Sequence, residues 1–300
     1  MTIEHERIRL GTAPDSWGVW FADDPRQAPW QQFLDEAAAA GYHWVELGPY
    51  GYLPTDPGRL AGELAARGLE LSGGAVFVGL HRGAEALQQA VDDCRTEARL
   101  LTALGARHLV LLPEIYTDLD GSLNQPAELD ASGWRDLTSG MNELAKVIVD
   151  EYDVAMVFHP HADSHVRTQR EVQRFLGETD PATVNLCLDT GHIAYYHGDN
   201  LELIRRYPER VGYVHLKQVD SAVLEQVDEQ NLCFADAVAL GVMTEPPRGV
   251  PAMPPVIEAL SALDVDLFAI VEQDLYPCES DVPMPIATRT REYFNQCGVA

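Results

Sequence analysis

Short apolar, β-branched runs recur along the chain at Ile8–Thr12, Trp44–Gly48, Glu70–Phe77, His108–Leu112, Val154–His159, Val184–Asp189, Val211–Lys217 and Leu267–Glu272. Their length and residue types are those of strands buried on both faces. Between them lie segments with helical spacing of apolar positions: Trp30–Ala40, Pro57–Ala66, Ala84–Leu104, Gly133–Asp150, Gln169–Phe175, Leu201–Tyr207 and Pro254–Leu263, with Ile286–Gln296 after the last run. Gly41, Gly68 and Gly105 stand just before the second, third and fourth runs, where a helix ending in a left-handed residue turns into a strand. Alternating β and α units predict a parallel sheet, and eight strands are the number that closes into a barrel.

An open, doubly wound sheet shares these local signals. The first run, however, leads into Gly11-Thr12-Ala13-Pro14-Asp15-Ser16-Trp17-Gly18, which lacks the Gly-x-Gly-x-x-Gly of a dinucleotide-binding turn. The expected fold is therefore α/β, a single (β/α)8 TIM barrel over residues 1–300 with its active site at the C-terminal ends of the strands. One connection stands out, about 218–253, between the seventh strand and its helix. It holds an amphipathic piece, Ser221–Leu240, followed by Thr244-Glu-Pro-Pro-Arg-Gly-Val-Pro. A loop this long reads as a lid or binding element, with a surface excursion or an oligomer contact as the plainer alternatives.

The strand ends carry the candidate chemistry. Apolar runs finish in Glu46, Glu114, His159-Pro160-His161, Asp189-Thr190-Gly191-His192, His215-Leu216-Lys217 and Glu272-Gln273-Asp274. Strand residues two apart face the same side, so His159 with His161, and His215 with Lys217, point into the barrel mouth if their strands persist. Mixed imidazole and carboxylate ligands suit Mn, Co, Fe or Zn, whereas Mg favours oxygen alone. Trp17, Trp20, Phe21, Tyr50 and Tyr52 flank the first two strand ends, where aromatic rings either stack on a sugar or pack the core. His5, His43, His108, His165 and His197 lie away from the strand ends and are expected to be solvated or locally hydrogen-bonded. No Gly-x-Ser-x-Gly nucleophile elbow is present.

Charge narrows the partners. With 47 acidic against 21 basic residues the net charge is −26, which repels nucleic acid and anionic membranes. Five cysteines without a Cys-x-x-Cys pair indicate neither a disulfide framework nor a zinc knot. The opening Met-Thr-Ile-Glu-His-Glu-Arg lacks an apolar signal core. The expectation is a cytoplasmic, soluble protein with a small-molecule partner, no nucleic acid, no membrane, and homo-oligomerisation left open.

Asp189-Thr190-Gly191-His192, followed by Val214-His215-Leu216-Lys217 and a carboxylate on the eighth strand, resembles the sugar phosphate isomerase/epimerase superfamily, the xylose-isomerase-like barrels. More narrowly, Phe158-His159-Pro160-His161-Ala162-Asp163, the segment from Asn231 to Gly241, and Val271-Glu272-Gln273-Asp274 are similar to the inosose dehydratases of inositol catabolism. The resemblance spans nearly the whole chain. It implies a divalent metal, Mn2+ or Co2+ ahead of Zn2+ or Fe2+, held by His159, Asp189, His215 and Glu272. It also implies a lyase that dehydrates a small polyhydroxylated carbonyl compound, 2-keto-myo-inositol (inosose), through an enediolate. His161, Glu272 and Lys217 would then be catalytic, and Glu46, Trp17, Glu114, His192 and Arg248 would bind substrate. His159 stands where many members carry Glu, which counts against epimerisation by paired Glu bases. The alternatives are a metal-dependent isomerase or epimerase of an inosose or ketose, and a non-catalytic sugar-binding or partner subunit.

Overall fold

The strands arise where the chain is apolar on both faces, and they run as β1 (Ile8–Thr12), β2 (Trp44–Pro49), β3 (Glu70–Val78), β4 (His108–Pro113), β5 (Ala155–Phe158), β6 (Val184–Asp189), β7 (Val211–Leu216), the two-residue β8 (Gln218–Val219) and β9 (Met243–Thr244), and β10 (Leu267–Val271). In this computed structural model, which describes residue 5 and residues 7–299, all but β8 and β9 close a parallel barrel in the order β1-β10-β7-β6-β5-β4-β3-β2. Most of the charged N-terminal stretch, expected to lack a signal core, lies outside the described residues. Between the barrel strands run α1 (Trp30–Ala39), α2 (Pro57–Ala65), α3 (Ala84–Ala103), α4 (Ala131–Tyr152), α5 (Gln169–Glu178), α6 (Thr190–Tyr195), α7 (Asn200–Arg206), α8 (Ser221–Gln230), α9 (Phe234–Ala239) and α10 (Met253–Ser261), with α11 (Pro283–Gln296) last. Among the described residues no helix is long and apolar enough to cross a membrane.

The two faces of each strand have different fates. Outward residues such as Leu109, Leu186, Val214 and Ala269 join the large core beneath the helices, whereas Val110, Val157, Cys187, Tyr213, Phe268 and Ile270 fill the bore. Two residues further along the same inward face, Val157 gives way to His159, Cys187 to Asp189, Tyr213 to His215 and Ile270 to Glu272. The period of two thus converts a dry bore into a polar floor at the strand ends. His108 is half-buried against this bore: its ring lies 5.3 Å from Tyr213 and 5.4 Å from Phe268, and burial pushes its pKa down to about 4. Tyr213 in turn shares a 2.8 Å hydroxyl contact with Ser72.

Residues 218–253 form a structured cover. The piece Ser221–Leu240 breaks into α8 and α9 at Asn231, which takes a left-handed conformation (φ 51°). Leu224, Val227, Phe234 and Val238 pack with Ala162 and Tyr195 in a small apolar cluster of their own. The antiparallel pair β8–β9 ties the two ends of this segment together.

Candidate functional site

The polar floor gathers four donors from four strands. His159 follows β5, Asp189 ends β6, His215 lies in β7 and Glu272 follows β10; one ligand atom from each lies within 4.8 Å of the other three. His159 Nε2 is 3.3 Å from Asp189 Oδ2, and His215 Nδ1 is 3.8 Å from that oxygen and 2.8 Å from Glu272 Oε2. All four are buried. On the far side of its ring, His215 Nε2 meets Glu46 Oε2 at 3.2 Å, which directs Nε2 to that carboxylate and turns Nδ1 toward the group. His159 Nδ1 and His215 Nδ1 are buried without a hydrogen-bond partner of good geometry. Two imidazoles and two carboxylates converging on one point fit a divalent metal ion of the Mn, Co, Fe or Zn type.

Lys217 lies two residues beyond His215 and is fully buried among carboxylates. Its Nζ is 2.9 Å from Asp274 Oδ2, 3.1 Å from Glu272 Oε2, 3.3 Å from Asp189 Oδ2 and 3.7 Å from Asp15 Oδ2. Burial opposes its charge, but Asp189, Asp274, Glu272 and Asp15 together hold it protonated well above the usual lysine range. Burial likewise opposes ionisation of Asp189, but Lys217, His192 and His159 together outweigh it, so this carboxyl stays well below the ordinary range. Gly191 makes room for the lysine, because a Cβ there would lie 2.5 Å from Lys217 Cγ.

Beside the lysine, His161 and His192 lie with ring centroids 4.0 Å apart and ring planes tilted by 37°, and Phe234 closes on both at 5.2 and 5.1 Å. Burial lowers both imidazoles, His161 to about 4. The strand does not persist to carry His161 inward, as alternation required. The His159 N–H still pairs with Leu111 O at 2.9 Å, but the chain then leaves the sheet and the His161 N–H donates to Val166 O. His192 sits on α6, a helix with no signal in the sequence pattern, which Asp189 caps by accepting the His192 N–H at 2.7 Å.

These groups line one cavity of about 670 Å3 at the barrel mouth, with Glu46 on its floor and Glu114, paired with Arg82 at 2.6 Å, on its far side. Two expected substrate contacts fall outside it. Trp17 is fully buried, its indole N–H donating to Glu36 on α1 at 2.7 Å and its ring edge-on to Phe33, so it belongs to the core. Arg248 points to solvent and pairs with Glu245 at 2.7 Å. The aromatic wall comes instead from Trp20, Phe21 and Phe234; Trp20 stacks on Tyr276 at 4.8 Å and donates to Asp274 Oδ1 at 3.1 Å. Tyr52 is turned away, donating to Ala28 O. Asp15 and Asp274 were absent from the expected site although both face Lys217. Asp274 carries the same spacing of two from Glu272 that Lys217 has from His215; Asp15 sits in a 3-10 turn, Pro14–Trp17, that periodicity does not reveal.

Residues 34–292 match the family model described as xylose isomerase-like TIM barrel. An inosose dehydratase of Geobacillus kaustophilus (strain HTA426) is 31% identical, the alignment covering 96% of this chain and 94% of that protein. An inosose dehydratase of Geobacillus thermodenitrificans (strain NG80-2) is 27% identical over 99% of this chain and 100% of its own length. Among solved structures, the IolI protein with a bound zinc atom superposes with a TM-score of 0.70 over 96% of this chain and 98% of that one; at 13% identity this is a likeness of fold.

Proposed function

This chain belongs to the xylose isomerase-like TIM barrel family and is a sugar-processing enzyme, and we propose that it is a metal-dependent hydro-lyase dehydrating a keto-inositol, with 2-keto-myo-inositol as the reference substrate. The observation that carries this reading is the convergence of His159, Asp189, His215 and Glu272 on one point, beside a buried lysine and a close histidine pair. The named relatives support the choice of substrate.

Loss of water from such a ketone requires removing a proton from carbon next to the carbonyl. His159, Asp189, His215 and Glu272 would hold a divalent ion, Mn2+ or Co2+ by preference, which when bound would supply Lewis-acid polarisation of that carbonyl. Lys217, kept charged by its carboxylates, stabilises negative charge growing on the substrate oxygens. His161 and Glu272 act near proton transfer, while His192, Glu46 and Glu114 hold hydroxyls. Trp20 and Phe234 offer ring faces to the C–H side of a sugar-like ring. We take residues 1–300 as one barrel domain in which 218–253 covers the site, and we assign the protein to the cytoplasm, in keeping with five unpaired cysteines.

The test is the mass and NMR spectrum of product formed from 2-keto-myo-inositol by metal-loaded protein against a chelated control. Loss of one water only with metal upholds the reading. Unchanged mass with rearranged ring signals reassigns the protein as an isomerase or epimerase. Binding that survives chelation, without turnover, makes it a sugar-binding subunit.

A further inference from the structure

We propose that the backbone of Ala162 imposes opposite tautomers on the two adjacent imidazoles, so that His161 is the proton acceptor of the site and His192 a hydrogen-bond donor. His161 Nδ1 lies 2.7 Å from the Ala162 carbonyl oxygen. A carbonyl only accepts, so Nδ1 carries the hydrogen and the lone pair of the neutral ring is on Nε2. His192 Nδ1 lies 3.1 Å from the Ala162 nitrogen. A backbone N–H only donates, so here Nδ1 holds the lone pair and the hydrogen is on Nε2. One residue thus addresses both rings, with its carbonyl to one and its N–H to the other.

Lys217 is the one group that opposes this assignment, with its ammonium 3.4 Å from His192 Nε2, and the shorter 3.1 Å bond from the Ala162 N–H decides against it. Ala162 is fully buried, and Phe234 flanks both rings, so water does not compete for either bond. A ring flip at either position would set a C–H against a buried polar group. The His192 backbone is itself pinned by Asp189 Oδ1.

The consequence reaches Lys217. Its Nζ stands 3.4 Å from His192 Nε2, and with both atoms carrying hydrogens the pair is two donors side by side, open to an oxygen between them. The chemistry that follows rests on the dehydratase reading. His161 Nε2 takes the proton from carbon next to the carbonyl, and the C–H electron pair becomes the enediolate, whose oxygen accepts from His192 Nε2–H and Lys217. The enediolate oxygen then re-forms the C=O bond, its C=C pair moves to the α,β bond, and the β C–O bond breaks with its electron pair leaving on the oxygen. The departing oxygen takes the proton from His161, leaving as water and returning His161 to its starting tautomer.

The test is a long-range 1H–15N correlation spectrum of metal-free, full-length protein carrying 15N-histidine, with the two rings assigned by signals lost in His161→Gln and His192→Gln, or in His161→Phe and His192→Phe should those chains not fold. The expected result is a protonated Nδ1 and bare Nε2 at His161, and the reverse at His192; the other tautomer at either ring overturns the proposal. With 2-keto-myo-inositol in D2O, His161→Gln should lose α-proton exchange by at least about hundredfold. His192→Gln, whose carboxamide N–H replaces the ring donor, should stay within about tenfold, and His192→Phe should fall below it. Native-like exchange in His161→Gln also overturns the proposal. Expected tautomers in a protein that does not turn over this ketone leave the tautomer assignment upheld and the dehydratase reading refuted. Inverted tautomers with water loss intact do the opposite.

Discussion

Asp189 works through two oxygens at once. Oδ2 faces His159 and Lys217 in the donor group, while Oδ1 caps α6 by accepting the His192 N–H. Asn keeps a capping oxygen but loses the charge. Asp189→Asn should therefore fold, and should lose metal affinity by more than the roughly 10–100-fold that removal of an outer partner costs, measured by titration calorimetry. Native-like affinity would remove Asp189 from the ligand set. Glu97 poses the opposite problem, a buried carboxyl on α3 with no hydrogen-bond partner of good geometry for either oxygen, fitted against Gly74, where any side chain would collide with it. Burial pushes it well above its ordinary value of 4.5. A group raised in the folded state contributes stability below its unfolded value, and that contribution is lost as pH climbs toward the folded value. Every tenfold difference in proton affinity between the folded and unfolded chain corresponds to about 1.4 kcal/mol. Glu97→Gln cannot ionise, so urea unfolding at about pH 5 and about pH 8 should show its stability gaining on the native chain as pH rises. Parallel pH curves would mean Glu97 is an ordinary carboxylate.

At the scale of elements, Asp163 joins segments that the barrel itself does not. Held at φ 53°, it accepts from Thr117 Oγ1 and from the Phe234 N–H at 2.8 Å each, and from Tyr196 OH at 3.3 Å. The loop after β4, the end of α6 and the start of α9 are thereby fixed to the turn after β5. Asp163→Ala strands those donors, at about 1–3 kcal/mol apiece, and frees Phe234 from the histidine pair. Hydrogen exchange should accelerate across α9 while the barrel strands stay protected, and KM for the keto-inositol should rise; unchanged exchange in α9 would show that apolar packing alone seats the cover. This is also the scale at which the sequence was most and least readable. Strand runs such as Val184–Asp189 and Val211–Leu216 were legible because both faces are buried and every second residue announces the floor. The pairing of His159 with His161 by alternation failed because β5 stops at Phe158, and the two rings meet the cavity by a turn instead. Trp17 and Trp20 are indistinguishable by type and position, and only the 3-10 turn decides which faces the core. The short α6 and the break at Asn231 left no periodic trace, since each depends on one capped or left-handed residue.

For the whole molecule, the donor group is a junction. β5, β6, β7 and β10 each contribute one ligand, so an ion bound there bridges four strands that the unfolded chain cannot bring together. Binding free energy at such a site becomes folding free energy. At an ion concentration about a hundredfold above Kd the gain is about 2.7 kcal/mol, which for a chain of this size is a rise in Tm of roughly 4 °C. The net charge of −26 adds a long-range attraction for cations, which salt screens within a Debye length of about 10 Å at 0.1 M. Raising salt should thus slow metal uptake and weaken it modestly. Lowering pH should weaken binding more steeply, because His159 and His215 must be unprotonated to ligate. Thermal unfolding of chelated and reloaded protein across Mn2+, Co2+ and Zn2+ checks the coupling directly. A Tm that does not move with any of the three would dissociate the four-residue group from metal binding, and would leave Lys217 with the neighbouring imidazoles to hold the charge of Asp189 and Glu272 at the barrel floor.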